Sequence, residues 1–202
     1  MSTVQRHDLA EHSPEWHAAR RYRIGGSEIG TILGWSPWTT PDDLATTKLS
    51  GEIRPTTPRQ QLGHDAEPML AAWLERKLDT TIDMHPGTYM DDLAVANPDG
   101  ICSDGWLFEA KTVDDRTTDA GWGRAGTATV PLHYAAQVEW YAGLLEAPGT
   151  HVVVLAGSHN GRPGLHIAHY KIPAHPAVYA YLRETAMEWH TTHLAPALAA
   201  AA

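Results

Sequence analysis

Three residues set the chemistry open to this chain: Asp99 in Asn97-Pro98-Asp99-Gly100, and Glu109 and Lys111 in Phe108-Glu109-Ala110-Lys111. The apolar Trp106-Leu107-Phe108 leads into the second motif, so that motif reads as a strand. Residues two apart on a strand share a face. Glu109 and Lys111 therefore point the same way, and Ala110 turns to the opposite layer. If Asp99 ends the neighbouring strand of a hairpin, two carboxylates and an ammonium converge. Carboxylate oxygens suit a hard divalent cation, and a lysine beside them can steer or deprotonate a water. This is equipment for metal-assisted hydrolysis of a phosphodiester. Each part also has a plainer reading. Pro-Asp-Gly is a common turn, and Glu109 with Lys111 can be an exposed ion pair worth little. The apolar lead-in argues against the second reading, and the downstream pair argues against the first.

The elements that must position these groups follow from local signals. Ser13-Pro14 reads as an N-cap and first helical residue, opening a short helix through Trp16 and Arg20. Gly25-Gly26-Ser27 turns the chain, Ser27 caps a helix over Glu28 to Leu33, and Gly34 ends it. Thr40-Pro41 starts another helix, closed by Gly51. From Arg59 to Leu78 the apolar residues recur at helical spacing, with Glu67 beside the stripe. Strands are expected around Thr88–Met90, Leu93–Ala96 and Gly105–Val113, then a polar loop from Asp114 to Thr129 and a helix from Pro131 to Leu145. Val152–Leu155 and Leu165–Tyr170 read as a strand pair turned at Asn160-Gly161. Pro176 to His193 reads as a last helix. The order implies an α/β fold around a mixed central sheet flanked by helices.

The 202 residues fit one domain, with a core from about residue 14 to 194 and a frayed alanine-rich tail over 195–202. No apolar run of membrane-spanning length occurs, and the N-terminus lacks the apolar stretch of a secretory signal. One cysteine, Cys102, excludes an internal disulfide and a cysteine-ligated cluster. The expected location is therefore the cytoplasm. A net charge of -9 argues against a passive nucleic-acid coat but not against a nuclease, because bound cations offset site carboxylates. Thirteen histidines show no HExxH spacing, so no structural zinc is expected.

Five features fall in a telling order: Trp16-His17 with Arg20 and Gly26-Ser27-Glu28; Gly63-His64-Asp65-Ala66-Glu67; Pro98-Asp99-Gly100; Glu109-Ala110-Lys111; and Gln137 with Tyr141. Over residues 14 to 157 the chain resembles the lambda-exonuclease branch of the PD-(D/E)xK nucleases, the YqaJ-type viral recombinases. That resemblance implies a restriction-endonuclease-like αβββαβ core. It implies that Asp99, Glu109 and the carbonyl of Ala110 hold metal, that Glu67 holds or orients a second ion, and that Lys111 and Gln137 complete the catalytic set. Arg20 matches the arginine that grips a 5′-terminal phosphate, and Ser27 its nearby hydroxyl. Tyr141 completes a QxxxY signature with Gln137. The family's activity is 5′→3′ digestion of one strand of linear duplex DNA to 5′-mononucleotides, leaving 3′ tails. Mg²⁺ is the implied cofactor, as two ions roughly 4 Å apart, with Mn²⁺ able to substitute. A homotrimer, a single-strand annealing protein as partner and a phage or prophage origin in a bacterial host are implied as well.

Further DNA contacts are expected at Trp35, which can stack on a base, and at Arg116 and Arg124 in the polar loop, which can meet phosphates. Core or subunit packing is the plainer role for Trp35 and Trp38. The rival functions are an endonuclease or branched-DNA resolvase of the same fold, and a non-catalytic subunit that binds DNA ends. Whether Lys111 is a base or only orients water stays open.

Overall fold

The chain folds into two mixed β-sheets flanked by helices. The structure, a computed structural model, describes residues 3–115, 121–159 and 162–201. The N-terminal half runs β1 (Gln5–His7), α1 (Pro14–Arg20), β2 (Ile24–Gly25), α2 (Gly26–Ile32), α3 (Pro41–Ser50), α4 (Pro58–Leu78), β3 (Ile82–Met84), β4 (Thr88–Met90) and β5 (Ala94–Ala96). The remainder runs β6 (Gly100–Cys102), β7 (Leu107–Asp115), α5 (Leu132–Leu144), β8 (Gly149–His159), β9 (Arg162–Pro173), α6 (Pro176–His193) and α7 (Ala195–Ala201). The central sheet has the order β3-β6-β7-β8-β9, with β7 and β8 parallel and the other pairs antiparallel. A second sheet, β1-β4-β5-β2, was not expected from the sequence.

The α/β core with a mixed central sheet flanked by helices is present, but the three anticipated strands divide differently. Thr88–Met90 and Ala94–Ala96 pair with each other in the second sheet, and the partner of β7 is the short β6. Between the sheets the chain crosses through Asn97-Pro98-Asp99, so the residues that matter most lie at the junction. Alternate residues of β8 serve two cores. Val152 and Val154 pack with Val138 of α5, while Val153 packs with Phe108 and with Leu70 and Leu74 of α4. The central sheet is thus held between α4 and α5, and Trp140, fully buried, anchors α5 to α2, α6 and β5.

Local chemistry explains two departures from expectation. The helix placed after Ser27 begins earlier, at Gly26. The Glu28 carboxylate accepts the Gly25 N–H at 2.7 Å, doing the work of a cap and leaving Ser27 exposed within the first turn. Gly26 has no side chain because the Tyr141 ring occupies its place; a Cβ there would lie 2.3 Å from that ring. The alanine-rich end, expected to fray, forms α7 instead. Fully buried Leu194 ties down its start, and alanine is the strongest helix former. The Asn160-Gly161 turn and Arg116 lie outside the described residues. Among the described residues no helix is long and apolar enough to cross a membrane.

Across β8 and β9, His151 and His169 form a buried pair at 2.9 Å. Burial pushes both imidazoles down to about 4 from 6.5, with Lys171 adding to the effect on His151 and the His151 ring to that on His169. The folded state therefore favours the neutral rings, whereas the unfolded chain takes up protons near pH 6.5. Stability from this pair is complete above that pH and is lost progressively as pH falls toward 4. Thermal unfolding followed between pH 7 and about 5 is expected to show a falling midpoint before ordinary carboxylates begin to titrate. A flat midpoint across that window would count against this assignment.

Candidate active site

The site forms where β6 ends. Gly100 pairs with Phe108 and Ile101 with Leu107, so continuing the antiparallel register by one step sets Asp99 opposite Glu109. Asp99 makes no further ladder. Its Oδ2 instead accepts the N–H of Ala110 at 2.8 Å, which ties the aspartate to β7. On the α5 face of β7, Glu109 Oε1 accepts from Lys111 Nζ at 2.6 Å and from Gln137 Nε2 at 2.6 Å. Glu109 Oε2 is buried with no hydrogen-bond partner among the described residues. Glu67 approaches from α4, on the other side of the sheet; the charge of Asp99 acts on it, and its own charge acts on Glu109. Pro68 lacks the N–H that would bond the His64 carbonyl, which loosens the helix turn carrying Glu67.

Electrostatics mark this cluster as short of positive charge. Burial, then the charge of Asp99, pushes Glu109 up to about 8. Burial also raises Asp99 and Glu67, with the Asp99 charge adding to the rise at Glu67. Burial works to lower the Lys111 ammonium, but Glu109 and Asp99 outweigh it and hold the proton on. Asp99 and Glu109 thus share one lysine, with the charge of Glu67 also acting on Glu109. A divalent cation would relieve the excess, and the oxygen donors suit Mg²⁺ or Mn²⁺. The unpartnered Glu109 Oε2 is a free ligand atom for such an ion. Among the described residues no three His, Cys, Asp or Glu side chains are grouped so that they could hold an ion by themselves. A backbone carbonyl such as that of Ala110, with water, would have to complete the coordination, as Mg²⁺ sites commonly allow.

Arg20 lies at the end of α1, beside the same junction. It donates to Asn97 Oδ1 at 2.8 Å, and Asn97 in turn donates to Thr88 Oγ1 at 2.6 Å. The guanidinium sits 4.3 Å over the Trp16 ring and against Gly25, where a Cβ would come within 2.6 Å of it. Tyr141 is buried behind Gly26, yet the charges of Glu109, Arg20, Lys111 and Asp99 all reach its hydroxyl. Burial, first among these influences, raises that phenol above its ordinary value. Trp35 is partly exposed in the loop after α2, and Trp38, more exposed still, packs its ring edge against His133. Arg124 is exposed in the loop before α5, where its carbonyl accepts from the Thr127 hydroxyl at 2.8 Å.

The sequence reading missed His64, His85 and Tyr134. His64 Nδ1 lies 2.9 Å from Glu67 Oε1, and His85 Nε2 3.8 Å from Glu67 Oε2. Tyr134 places its ring 5.2 Å from Lys111 Nζ. The spacing of His64 and Glu67, three apart on one helix, was a signal for the first of these. Nothing in the sequence brings His85 to Glu67, because that contact depends on how β3 and β6 pair.

The comparisons bear on family and fold. The family model for the YqaJ-like viral recombinase domain matches residues 15–147, well over half of the chain. The crystal structure of LHK-Exo in complex with dAMP is similar with a TM-score of 0.64 and 14% identity, covering 92% of this chain and 94% of that one. The alkaline exonuclease LHK-Exo from Laribacter hongkongensis gives a TM-score of 0.59 at 14% identity, with the same coverage. A phage-related exonuclease from Haemophilus somnus 129PT gives 0.63 at 10% identity, covering 86% of this chain and 96% of the other. No curated protein sequence matches. At such identities the structural likeness speaks for the fold, while the family match spans every residue of the acidic cluster, from Glu67 on α4 to Gln137 on α5. This chain belongs to the YqaJ-like viral recombinase family.

Proposed function

We propose that this protein is a Mg²⁺-dependent 5′→3′ exonuclease. It would degrade one strand of linear duplex DNA to 5′-mononucleotides and leave 3′ tails for recombination by strand annealing. One observation carries the reading: Glu109, held at Oε1 by Lys111 and Gln137, leaves its buried Oε2 unpartnered among the described residues, with Asp99 bonded to the next residue of β7 and the charges of Asp99 and Glu67 acting on it.

Divalent ions held by Asp99, Glu109, the Ala110 carbonyl and Glu67 would supply Lewis acidity and lower the pKa of a nearby water. The protein's own groups do the positioning. Gln137 fixes the Glu109 carboxylate, and Asp99 is fixed by the Ala110 N–H. Lys111, kept protonated, spends one donor on Glu109 and has two left for a water and a phosphoryl oxygen. In that state it orients the nucleophile and steadies growing negative charge. Arg20 has guanidinium donors beyond the one given to Asn97, in a fork suited to a terminal phosphate. Ser27, exposed nearby, would offer its hydroxyl to the same phosphate. Tyr141 would support this wall from behind, and Trp35, Arg116 and Arg124 would contact the rest of the duplex. The setting we propose is the cytoplasm of a bacterial host, with the protein working as a homotrimer beside a single-strand annealing protein.

A panel of substrates tests this. Linear duplex labelled at the 5′ end should release labelled mononucleotide first, sealed circles should stay intact, and chelation of Mg²⁺ should stop release. Arg20→Ala should slow digestion of 5′-phosphorylated ends by about 10-fold or more while changing 5′-hydroxyl ends little. Cutting of sealed circles would favour an endonuclease, and 3′ label leaving first would reverse the polarity.

A further inference from the structure

We infer that His64 and His85 are positioning residues that clamp the Glu67 carboxylate from two sides and so set how firmly the acidic cluster holds a divalent cation. This rests on the function proposed above. The Glu67 side chain is 9% exposed, and each of its oxygens faces one imidazole: Oε1 at 2.9 Å from His64 Nδ1, Oε2 at 3.8 Å from His85 Nε2. The first contact is a hydrogen bond; the second is electrostatic in range.

The two histidines come from different places. His64 sits one helical turn before Glu67 on α4, and the edge of the His12 ring, 5.9 Å away between centroids, limits its swing. His85 follows β3 with φ at +52°, a left-handed conformation unusual for a residue with a side chain. Its backbone N–H donates to the Asp99 carbonyl at 3.0 Å. One residue therefore grips the backbone of Asp99 and presents its ring to Glu67, linking the stretch that carries one carboxylate to the side chain of the other. Without such a link, the like charges of Asp99 and Glu67 would drive the flexible glutamate outward. Partners that hold a metal-binding carboxylate in place typically account for a 10–100-fold difference in metal affinity.

Mn²⁺ titrated into the full chain without DNA, followed by electron paramagnetic resonance, reads the effect apart from catalysis. His64→Ala is expected to weaken Mn²⁺ binding by about 10-fold. His64→Asn, whose amide nitrogen can stand in for Nδ1, is expected to restore most of it. His85→Ala, losing the longer contact, should weaken binding less than His64→Ala. At saturating Mn²⁺ the kcat of His64→Ala should fall far less than its apparent metal affinity. Asp99→Asn serves as the control and should abolish tight binding. If Asp99→Asn destroys binding and His64→Ala leaves it unchanged, the clamp is wrong and the site stands. If Asp99→Asn leaves Mn²⁺ binding unchanged, the metal site itself is wrong. A His64→Asn variant as weak as His64→Ala, with an unaltered melting temperature, would also overturn the hydrogen-bonding role.

Discussion

Replacing Lys111 by alanine is expected to lower nucleotide release from linear duplex DNA by about 10²–10³-fold while leaving DNA-end binding largely intact. The size follows from where the ammonium stands. It is 15% exposed, bonded at 2.6 Å to Glu109, and held in its charged form by Glu109 and Asp99. No neighbour can replace it. The other nitrogen donor on Glu109 is the neutral amide of Gln137, and the three surrounding acids have only negative charge to offer. The fold should survive the change. Glu109 already titrates at about 8, so the loss of its lysine is met by taking up a proton. The variant should therefore melt near the wild-type temperature, which separates a chemical defect from a structural one. Nucleotide release measured beside fluorescence anisotropy on a labelled duplex end decides the matter. Activity within tenfold of wild type would remove Lys111 from the mechanism and weaken the nuclease reading as a whole.

The reason this group of residues could be read ahead of the structure is that β7 is long and strand-like, with an apolar run before the acid and base. The alternation of Glu109 and Lys111 on one face needed only that strand, and Glu109 does meet Gln137 across to α5. The helices were legible for similar reasons. The helical spacing read from Arg59 to Leu78 matches α4, which opens one residue earlier, at Pro58, behind a Thr57 cap that accepts the Gln60 N–H. What stayed hidden has a common physical cause. β1, β2, β3 and β6 are two or three residues long, too short to show alternation, and each exists only because a distant strand pairs with it. The second sheet is built from such pieces. The consequence reaches the site: Asp99 was expected to end a hairpin strand, but it directly precedes the short β6, and His85 reaches Glu67 only through the β3–β6 pairing. Ser27 was misplaced for a different reason. It competes with Gly25 as helix start, and the Glu28 carboxylate settled the contest in favour of the glycine.

Lys48→Met is expected to cost about 3–5 kcal/mol of stability, the toll of leaving a buried charge without its partner. Lys48, on α3, is 6% exposed, and its ammonium has three donors with three acceptors to match. Those are Glu28 Oε1 at 2.9 Å, the Arg23 carbonyl at 2.7 Å and the Arg20 carbonyl at 3.2 Å. Methionine fills similar space but satisfies none of them. Glu28 keeps a fifth of its side chain accessible, which places the expected loss near the lower end of that range. Burial works to raise the Glu28 carboxyl, but Lys48, Arg20 and the Gly25 N–H outweigh it and hold it below 4.5. The pair's contribution is therefore present above about pH 4.5 and is lost as the pH drops through the lower folded value. The double variant Lys48→Met with Glu28→Gln should lose clearly less than the two single losses added, because glutamine removes the stranded charge and still accepts from Gly25. Urea unfolding of the four proteins at pH 7 measures the coupling. The outcome also bears on the DNA end. The carbonyl that Lys48 holds belongs to Arg20, so a loosened α1 terminus should blunt the preference for 5′-phosphorylated over 5′-hydroxyl duplex even where the protein remains folded. Lys48→Met within about 1 kcal/mol of wild type, with end preference unchanged, would show that this buried lysine neither stabilises the junction nor positions Arg20.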